Sequence, residues 1–225
     1  MREEGVVRLN NIDLKKTDQN FLVYVYLYET LKKSISQYAK GTILDIGCGN
    51  KPYLPYFKHL TNITYTGCDV IQSSLGTVDI LCEATQIPLP NESFDTIFST
   101  QTIEHVFDHN GMLKESNRLL KKNGHIIVSG PMYWPHHEEP YDYFRFTKHG
   151  FHKLLVQNGF DVIKIIPNGG KWSLFGVVVF HTFPKKMTQF RFFKFLLNSI
   201  CYYLDRKHPD HTNTCNFVAI AKKSK

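Results

Sequence analysis

Two sets of residues in this chain have side chains and spacing suited to chemistry. The first is the stretch 45–49 (Asp-Ile-Gly-Cys-Gly), in which two glycines follow a carboxylate at the end of an apolar run that begins at Thr42. Glycine adopts backbone conformations closed to other residues and leaves room for a ligand against the chain. Pro52 suits the first turn of a helix. The pattern predicts a strand, a ligand-binding loop and then a helix to about Leu60.

The second set lies in segment 131–147, which is rich in histidine, acidic and aromatic residues. His136 and His137 are adjacent there, and a neutral histidine is well suited to accept a proton near pH 7. His105, in a Glu-His-Val sequence, is a third candidate base, although it could equally orient the helix that follows. Residues 136–139 (His-His-Glu-Glu) have metal-binding side chains, but four consecutive residues cannot easily face one ion. No metal site is therefore predicted.

The same segment carries four candidate substrate-binding residues, Tyr133, Trp134, Asp142 and Arg145. The planar guanidinium of Arg145 suits an acidic or sugar substrate, which Asp142 could help to hold. An ion pair between Asp142 and Arg145, three residues apart, is the purely structural alternative.

Strands and helices alternate along the chain, which predicts a mostly parallel sheet with helices on both faces. The expected strands after the first are 63–69, 78–82, 96–99, 125–129, 160–166 and 215–221. The expected helices are 21–38, 112–120 and 147–159, with Gly124 and the lysines before it ending the second of these. Ligands bind at the carboxyl ends of parallel strands. The strand-end residues Asp45, Asp69, Glu83, Thr100 and Gly130 should therefore converge on one crevice.

The first loop, taken with the next strand, resembles motif I of the class I S-adenosylmethionine-dependent methyltransferases. Asp45, Gly47 and Gly49 match D-x-G-x-G, and Asp69 matches the acidic residue that holds the ribose about twenty residues later. A dinucleotide site, and with it a nicotinamide-dependent oxidoreductase, is disfavoured because Pro52 stands where G-x-G-x-x-G has its third glycine.

Further stretches resemble the type 11 group of these enzymes. They are Cys82-Glu83-Ala84, Ser93-Phe94-Asp95 and Glu104-His105-Val106. Glu83 departs from the group, which usually has Asp there. A pattern H-x-x-P-x-D-x-x-R-x-T, which starts at His137 and ends at Thr147, is similar to small-molecule and glycan methyltransferases.

The resemblance implies a Rossmann-like fold of seven mostly parallel strands with the last strand antiparallel. It also implies S-adenosylmethionine as cofactor and methyl transfer to a small-molecule acceptor, most simply a hydroxyl of a sugar, glycan precursor or other metabolite. His137, which begins the matched pattern, is the preferred base. The implied cofactor-binding residues are Asp45, Gly47, Cys48, Gly49, Asp69, Val70, Glu83, Ala84 and Thr100.

Other functions remain open or are disfavoured by the same residues. A non-catalytic S-adenosylmethionine-binding partner or regulatory subunit is the alternative function. Nucleic-acid bases are not the predicted acceptor, because residues 99–102 (Ser-Thr-Gln-Thr) stand where enzymes that methylate base amines carry an N-P-P-Y-like motif.

The predicted organisation is an N-terminal arm and helix (1–40) followed by a methyltransferase domain (41–225). A helical insertion is expected at about 167–213, between the last two strands. Its segment 184–204 is basic and amphipathic, which fits a lid, a dimer contact or a peripheral membrane contact. The net charge of +7 favours acidic partners such as phosphorylated substrates or lipid headgroups. Because no early apolar run resembles a signal peptide, a cytoplasmic location is expected.

Overall fold

The computed structural model describes residues 9–224, which contain one seven-stranded sheet. Its strands are β1 (Thr42–Ile46), β2 (Thr64–Asp69), β3 (Ile80–Leu81), β4 (Phe94–Thr100), β5 (Leu120–Pro131), β6 (Phe160–Asn168) and β7 (Asn216–Lys223). Their order across the sheet is β3-β2-β1-β4-β5-β7-β6, and β7 runs antiparallel to both of its neighbours. The predicted Rossmann-like sheet, mostly parallel with an antiparallel last strand, is confirmed.

The helices of the described residues follow the expected alternation with the strands. They are α1 (Phe21–Tyr38), α2 (Leu54–Phe57), a 3-10 turn (Ile103–His105), α3 (His109–Leu119), α4 (Lys148–Gln157), α5 (Lys171–Thr182), α6 (Lys185–Thr188) and α7 (Arg191–Lys207). Helix α4 begins where expected, because Thr147 Oγ1 accepts the Gly150 N–H at 3.1 Å. Among the described residues, no helix combines the length and the apolar character needed to cross a membrane.

The prediction of a helix that has Pro52 in its first turn and runs to about Leu60 was wrong in both its start and its length. Only the single turn of α2 forms, and Pro55, not Pro52, stands in its first turn. Lys51 has φ 55°, a left-handed conformation that separates the loop from the helix. The helical conformation is therefore interrupted at Lys51, and α2 starts only at Leu54 with Pro55 in its first turn, where no internal N–H bond is needed.

The helix predicted at 112–120 ends one residue earlier than expected, but residues 121–124 do not form the C-terminal stop predicted for them. The helix ends at Leu119 and the chain enters β5 at once. Across β4, Phe94 lies opposite Leu120 whereas Thr96 lies opposite His125, so residues 121–124 form a bulge. Lys121 Nζ contacts Asp95 Oδ2 at 2.8 Å, which is a cross-strand ion pair rather than a helix cap.

The sheet is buried on both faces, which explains why its strands are almost continuously apolar. Ile43 packs with Leu31 and Ile35 of α1 on one face. Its neighbour Leu44 packs on the other face, in the cluster that contains Met112 and Leu155. The alternation of side chains along β1 therefore joins the two helical layers through a single strand.

The helices α5, α6 and α7 lie between β6 and β7, and one buried carboxylate joins α7 to α5. Asp205 of α7 accepts N–H groups of Gly170 at 3.0 Å, Trp172 at 3.0 Å and Ser173 at 2.8 Å. These amides form the amino end of α5, whose own N-cap, Gly170, has no side chain. Asp205 thus caps α5 from another helix.

We expect Asp205→Ala to lower the free energy of unfolding by roughly 2–4 kcal/mol, because it leaves several helix N–H groups without a partner. For a chain of this size that corresponds to a fall in Tm of roughly 4–16 °C in thermal unfolding followed by circular dichroism. The matched control is Asp210→Ala, which removes a carboxylate near the same helix end that pairs with Lys171. An equal fall in both variants would contradict the capping role of Asp205.

Candidate active site

A cavity of about 200 Å³ opens at the carboxyl ends of β1 and β4. One wall is the loop after β1, and the opposite wall is formed by the segments after β4 and β5. Helix α1 closes the cavity from above with Val23 and Tyr24. Of the predicted site residues, those that line it are Asp45, Gly47, Cys48, Gly49, Thr100, His105, Trp134 and His137.

The loop after β1 is held by hydrogen bonds of its backbone N–H groups and has no space for a side chain at Gly47. The N–H of Gly47 donates to the Cys68 carbonyl at 2.9 Å, and the N–H of Gly49 donates to Asp69 Oδ2 at 3.0 Å. Gly47 has φ 77°, and a Cβ atom there would overlap the side chain of Thr102. The loop therefore brings bare backbone to the cavity, held from β2 by Asp69.

Asp45 is a buried carboxylate on the wall of the cavity. Its side chain is 2% exposed and accepts the hydroxyl of Tyr65. Burial raises its pKa to about 7, although the Tyr65 hydrogen bond acts in the opposite direction. A carboxylate held in this way gains from a cation placed beside it, because the cation replaces part of the lost hydration.

Of the three candidate bases, two lie at the cavity and one does not. The rings of His105 and His137 are 4.7 Å apart and nearly perpendicular. His136 lies outside the cavity lining, and its side chain is 85% exposed. Both cavity histidines are oriented by acceptors. His105 Nδ1 is 2.9 Å from the Tyr141 carbonyl, and His137 Nδ1 is 3.3 Å from Asp142 Oδ2.

Asp142 and Arg145 form a two-pronged ion pair, with N–O distances of 2.6 and 2.7 Å. Burial acts to raise the pKa of Asp142, but hydrogen bonds from Arg145 and from the His137 backbone hold it below its usual value. Arg145 also donates to the Trp134 carbonyl. A substrate gripped by Arg145 would have to replace these bonds, and the pair meanwhile fixes the loop that carries His137.

The other predicted cofactor-binding residues are outside the cavity lining, and of the strand-end residues expected to converge there, Asp69, Glu83 and Gly130 do not line it. Asp69 ends β2 and Val70 follows it, whereas Glu83 and Ala84 follow β3. Val70 and Glu83 are exposed and Ala84 is half-buried, so this part of the sheet edge is open. Tyr133 packs in the apolar cluster that joins α1 to α5 and α7.

Several residues of this region were not among the predicted site residues, among them Asn216, Tyr24 and Glu104. Asn216 lines the cavity at the start of β7, and Tyr24 reaches it from α1. A polar residue that opens an antiparallel strand lies at the same edge where parallel strands end, which was a usable signal for Asn216. The third is Glu104, which is fully buried, and no hydrogen-bond partner is found for either of its carboxylate oxygens among the described residues. Burial raises its pKa to about 8.

Comparison with known proteins agrees with this geometry. Residues 44–128 match the family profile described as a methyltransferase domain. The chain is 30% identical over 98 residues to a ubiquinone biosynthesis O-methyltransferase of Bradyrhizobium diazoefficiens, covering 39% of this chain and 38% of that protein. It is 26% identical over 117 residues to Methyltransferase GfsG of Streptomyces halstedii, covering 46% of this chain and 41% of that protein. The chain thus spans about half the length, or less, of the curated relatives it matches.

A solved structure, that of the cyclase SpnF, superposes with a TM-score of 0.59 at 15% identity. The superposition covers 91% of this chain and 82% of that chain. Such a likeness shows a shared fold and leaves the reaction to be argued from the site.

Fold and cavity together define an α/β domain of the class I methyltransferase type. The profile match at residues 44–128 and the O-methyltransferases among the relatives support a class I S-adenosylmethionine-dependent methyltransferase of the type 11 group, with S-adenosylmethionine as cofactor. The structure suits this cofactor, since the positive φ at Gly47 turns the backbone of the loop along the cavity wall. Asp45 is a buried carboxylate on the same wall of the cavity.

We expect Gly47→Ala to abolish S-adenosylmethionine binding measured by calorimetry, because the new methyl group and Thr102 cannot both fit. Gly76→Ala is the matched control. Gly76 also has a positive φ, 64°, but an added Cβ there meets nothing within 4 Å. Both variants lose roughly 1–2 kcal/mol of stability for the left-handed backbone, and only Gly47→Ala should lose the cofactor. Cofactor binding that survives in Gly47→Ala would show that this loop is not the binding site.

Proposed function

We propose that this protein transfers the methyl group of S-adenosylmethionine to a hydroxyl of a small polar acceptor, such as a sugar, a glycan precursor or another metabolite. One observation carries the proposal. The cofactor loop at 45–49 and the pair formed by His105 and His137 line the same cavity. Methyl transfer needs this proximity between an activated methyl group and a proton acceptor.

In an in-line displacement, some of these residues position the cofactor and others activate the acceptor. The cofactor supplies a methyl group on a cationic sulfur that is already a good leaving group. Asp45 and the Gly47 backbone position the methionine end, and Asp69 accepts the ribose hydroxyls. His137 removes the hydroxyl proton of the acceptor at Nε2, while Asp142 faces the opposite ring nitrogen and orients the imidazole. The acceptor oxygen then bonds to the methyl carbon as the carbon–sulfur bond breaks and its electron pair passes to sulfur.

The lining of the cavity favours a hydroxyl acceptor with an apolar face. Thr100, Gln101 and Asn216 offer hydrogen-bonding groups, and Tyr24 and Trp134 offer aromatic surface. Sugar and phenol rings combine these properties, since both have hydroxyls at the edge of a face that packs on aromatic side chains. Two matched relatives are named as O-methyltransferases, which agrees with an oxygen acceptor.

The alternative is a partner or regulatory subunit that binds S-adenosylmethionine without turnover. The location of two histidines inside the cavity favours catalysis, since cofactor binding alone needs no proton acceptor. The two functions separate in one experiment, which measures transfer of a labelled methyl group to a panel of sugars, phenols and glycan precursors. Binding without transfer to any of them would favour the subunit. Tighter binding of NAD than of S-adenosylmethionine in parallel calorimetry would exclude both.

Replacing Asp69 by Asn tests the ribose contact. In the structure the carboxylate accepts the N–H groups of Gly49 and Val70, and the amide oxygen of Asn can keep one of them. The ribose loses charge-assisted hydrogen bonds worth roughly 1.5–3 kcal/mol each, so affinity for S-adenosylmethionine should fall about tenfold or more. Calorimetry gives the affinity, and an unchanged Tm shows that the loop is intact. Parent-like affinity would mean that Asp69 only holds the loop.

We propose in addition that the protein docks on an anionic membrane surface through α7. The docking face consists of Phe190, Phe192, Phe195, Leu196, Ile200 and Tyr203, all of which are exposed. Phe192 is 76% and Phe190 is 67% exposed. The spacing from Phe192 through Leu196 and Ile200 to Tyr203 places these side chains on one stripe of the helix. A stripe of this size exposed on one helix is typical of an interaction site.

Charge favours a lipid surface over a second copy of the chain. Lys185, Lys186, Arg191 and Lys194 border the docking face, and no Asp or Glu occurs between Asp161 and Asp205. Two such faces brought together by two-fold symmetry would oppose like charges. The headgroups of an anionic bilayer would attract the lysines, and the phenylalanines could insert among its acyl chains.

We expect the protein to co-sediment with vesicles that contain anionic phosphatidylglycerol and much less with neutral phosphatidylcholine vesicles. Phe190→Ser combined with Phe192→Ser should weaken this binding at least about tenfold, because each buried Phe contributes roughly 1.5–3 kcal/mol. The matched control is Phe107→Ser, at a side chain that is 73% exposed elsewhere on the molecule.

Three results would contradict membrane docking. The first is binding that is equal on neutral and anionic vesicles, and the second is binding that Phe107→Ser weakens just as much. The third is a dimer in analytical ultracentrifugation that the Phe190 and Phe192 substitutions abolish, which would assign the face to a second copy.

A further inference from the structure

We propose that Glu104, His105 and His137 bind one divalent transition-metal ion at the part of the cavity wall that His105 and His137 form. Each residue offers one ligand atom, and these atoms lie within 4.8 Å of one another. His105 Nε2 is 4.0 Å from Glu104 Oε1. Two ligands of one zinc ion, each at about 2.1 Å from the metal, are roughly 3–4 Å apart. Small side-chain rotations therefore bring the three atoms to bonding distance.

Hydrogen bonds already hold both imidazoles in the tautomer that a metal requires. A carbonyl oxygen can only accept, so the 2.9 Å contact between His105 Nδ1 and the Tyr141 carbonyl places the proton on Nδ1. His137 Nδ1 faces two acceptors in the same way, the Pro135 carbonyl and Asp142 Oδ2, both at 3.3 Å. In each neutral ring the lone pair is then on Nε2. Metal-ligating histidines commonly have such a carbonyl or carboxylate behind them.

Arg145 in turn holds Asp142, the carboxylate that faces His137. It grips Asp142 through both carboxylate oxygens and so fixes the carboxylate behind His137. The result is a chain from Arg145 through Asp142 to His137. Residues that orient a metal-ligating histidine commonly bond to one another in this way. A residue that binds substrate would instead keep its hydrogen-bonding groups available for the substrate.

The burial of the Glu104 carboxylate supports a metal site independently of the two histidines. Its side chain is fully buried, and no other described residue donates a hydrogen bond to either carboxylate oxygen. A buried carboxylate without donors is destabilising unless it is paired, protonated or bound to a metal. An ion between Glu104 and the two imidazoles supplies the missing partner. Two imidazoles and one carboxylate are a ligand set suited to Zn²⁺, Fe²⁺, Co²⁺ or Mn²⁺.

The role of the ion rests on the proposed methyl transfer. A metal-bound hydroxyl loses its proton more readily, so the acceptor would reach the methyl group as an alkoxide. The proton passes to water, the new oxygen–carbon bond forms, and the sulfur keeps the electron pair of the broken bond. The ion would then perform the activation that His137 otherwise performs alone, and His137 would act as its ligand.

Metal binding is measured directly, without cofactor or acceptor. The full chain is freed of metal with a chelator and titrated with Zn²⁺ and with Co²⁺. We expect one ion per chain in calorimetry, a rise in Tm, and a visible Co²⁺ spectrum of a nitrogen- and oxygen-bound ion. Glu104→Gln and His137→Gln should each weaken metal affinity at least about tenfold. His136→Gln, at the exposed neighbour, should leave metal affinity unchanged.

Glu104→Gln also separates a ligand from a merely structural residue. Without metal it should be at least as stable as the parent, since it removes a buried acid, and it should lose the metal-induced rise in Tm. Binding of Zn²⁺ that is equal in the parent and in Glu104→Gln, or no saturable binding, overturns the metal site. If S-adenosylmethionine still binds and is used, the proposed function stands without the ion. If metal binds but no methyl transfer occurs, the site stands and the function fails.

Discussion

The position of β1 between β2 and β4 is the constraint on which the active site depends. Asp45 pairs in register with Gly67 on one side and with Phe98 on the other. Hydrogen bonds along both edges fix the position of β1, so the chain must turn sharply out of the sheet at Gly47. That exit is possible only because Gly47 adopts a positive φ beside Thr102. The sheet thus fixes the loop, and the loop fixes where a cofactor can lie.

The same central position explains the electrostatics of the cavity. Asp45 lies within the sheet, and burial raises its pKa to about 7. Because the folded pKa exceeds the unfolded one, the folded chain holds more protons, and stability from this group falls as pH rises from about 4 to about 7. Near neutral pH the unliganded protein therefore contains a group whose ionisation opposes folding. A cationic ligand beside Asp45 reverses that effect, so a carboxylate that weakens the fold strengthens binding.

Features set by local periodicity and by strand ends were predictable from the sequence. The bounds of α1, Phe21–Tyr38, agree with the helical spacing of its apolar residues, and the loop from Asp45 to Gly49 lies where the glycines indicated. The helix predicted to about Leu60 forms only as the single turn of α2, because the left-handed Lys51 separates it from the loop. The meeting of Glu104 with His137 was not predictable from spacing, since α3, β5 and a loop separate them in the chain. Only the packing of the loop after β5 against the segment after β4 brings them together.

The helices between β6 and β7 connect the outer surface of the protein to the wall of the cavity. Val23 and Trp134 line the cavity, and they share one apolar cluster with Val177 of α5 and Cys201 of α7. Helices α1 and α5 approach closely at Gly176, where an added Cβ would overlap Leu22. The outer stripe of α7 and the inner face of α1 are therefore two sides of one packed layer. Because close-packed interiors transmit displacement rather than absorb it, a force on the exposed phenylalanines of α7 would reach Val23 and Trp134. The position of this layer thus connects the exposed stripe of α7 with the wall of the cavity.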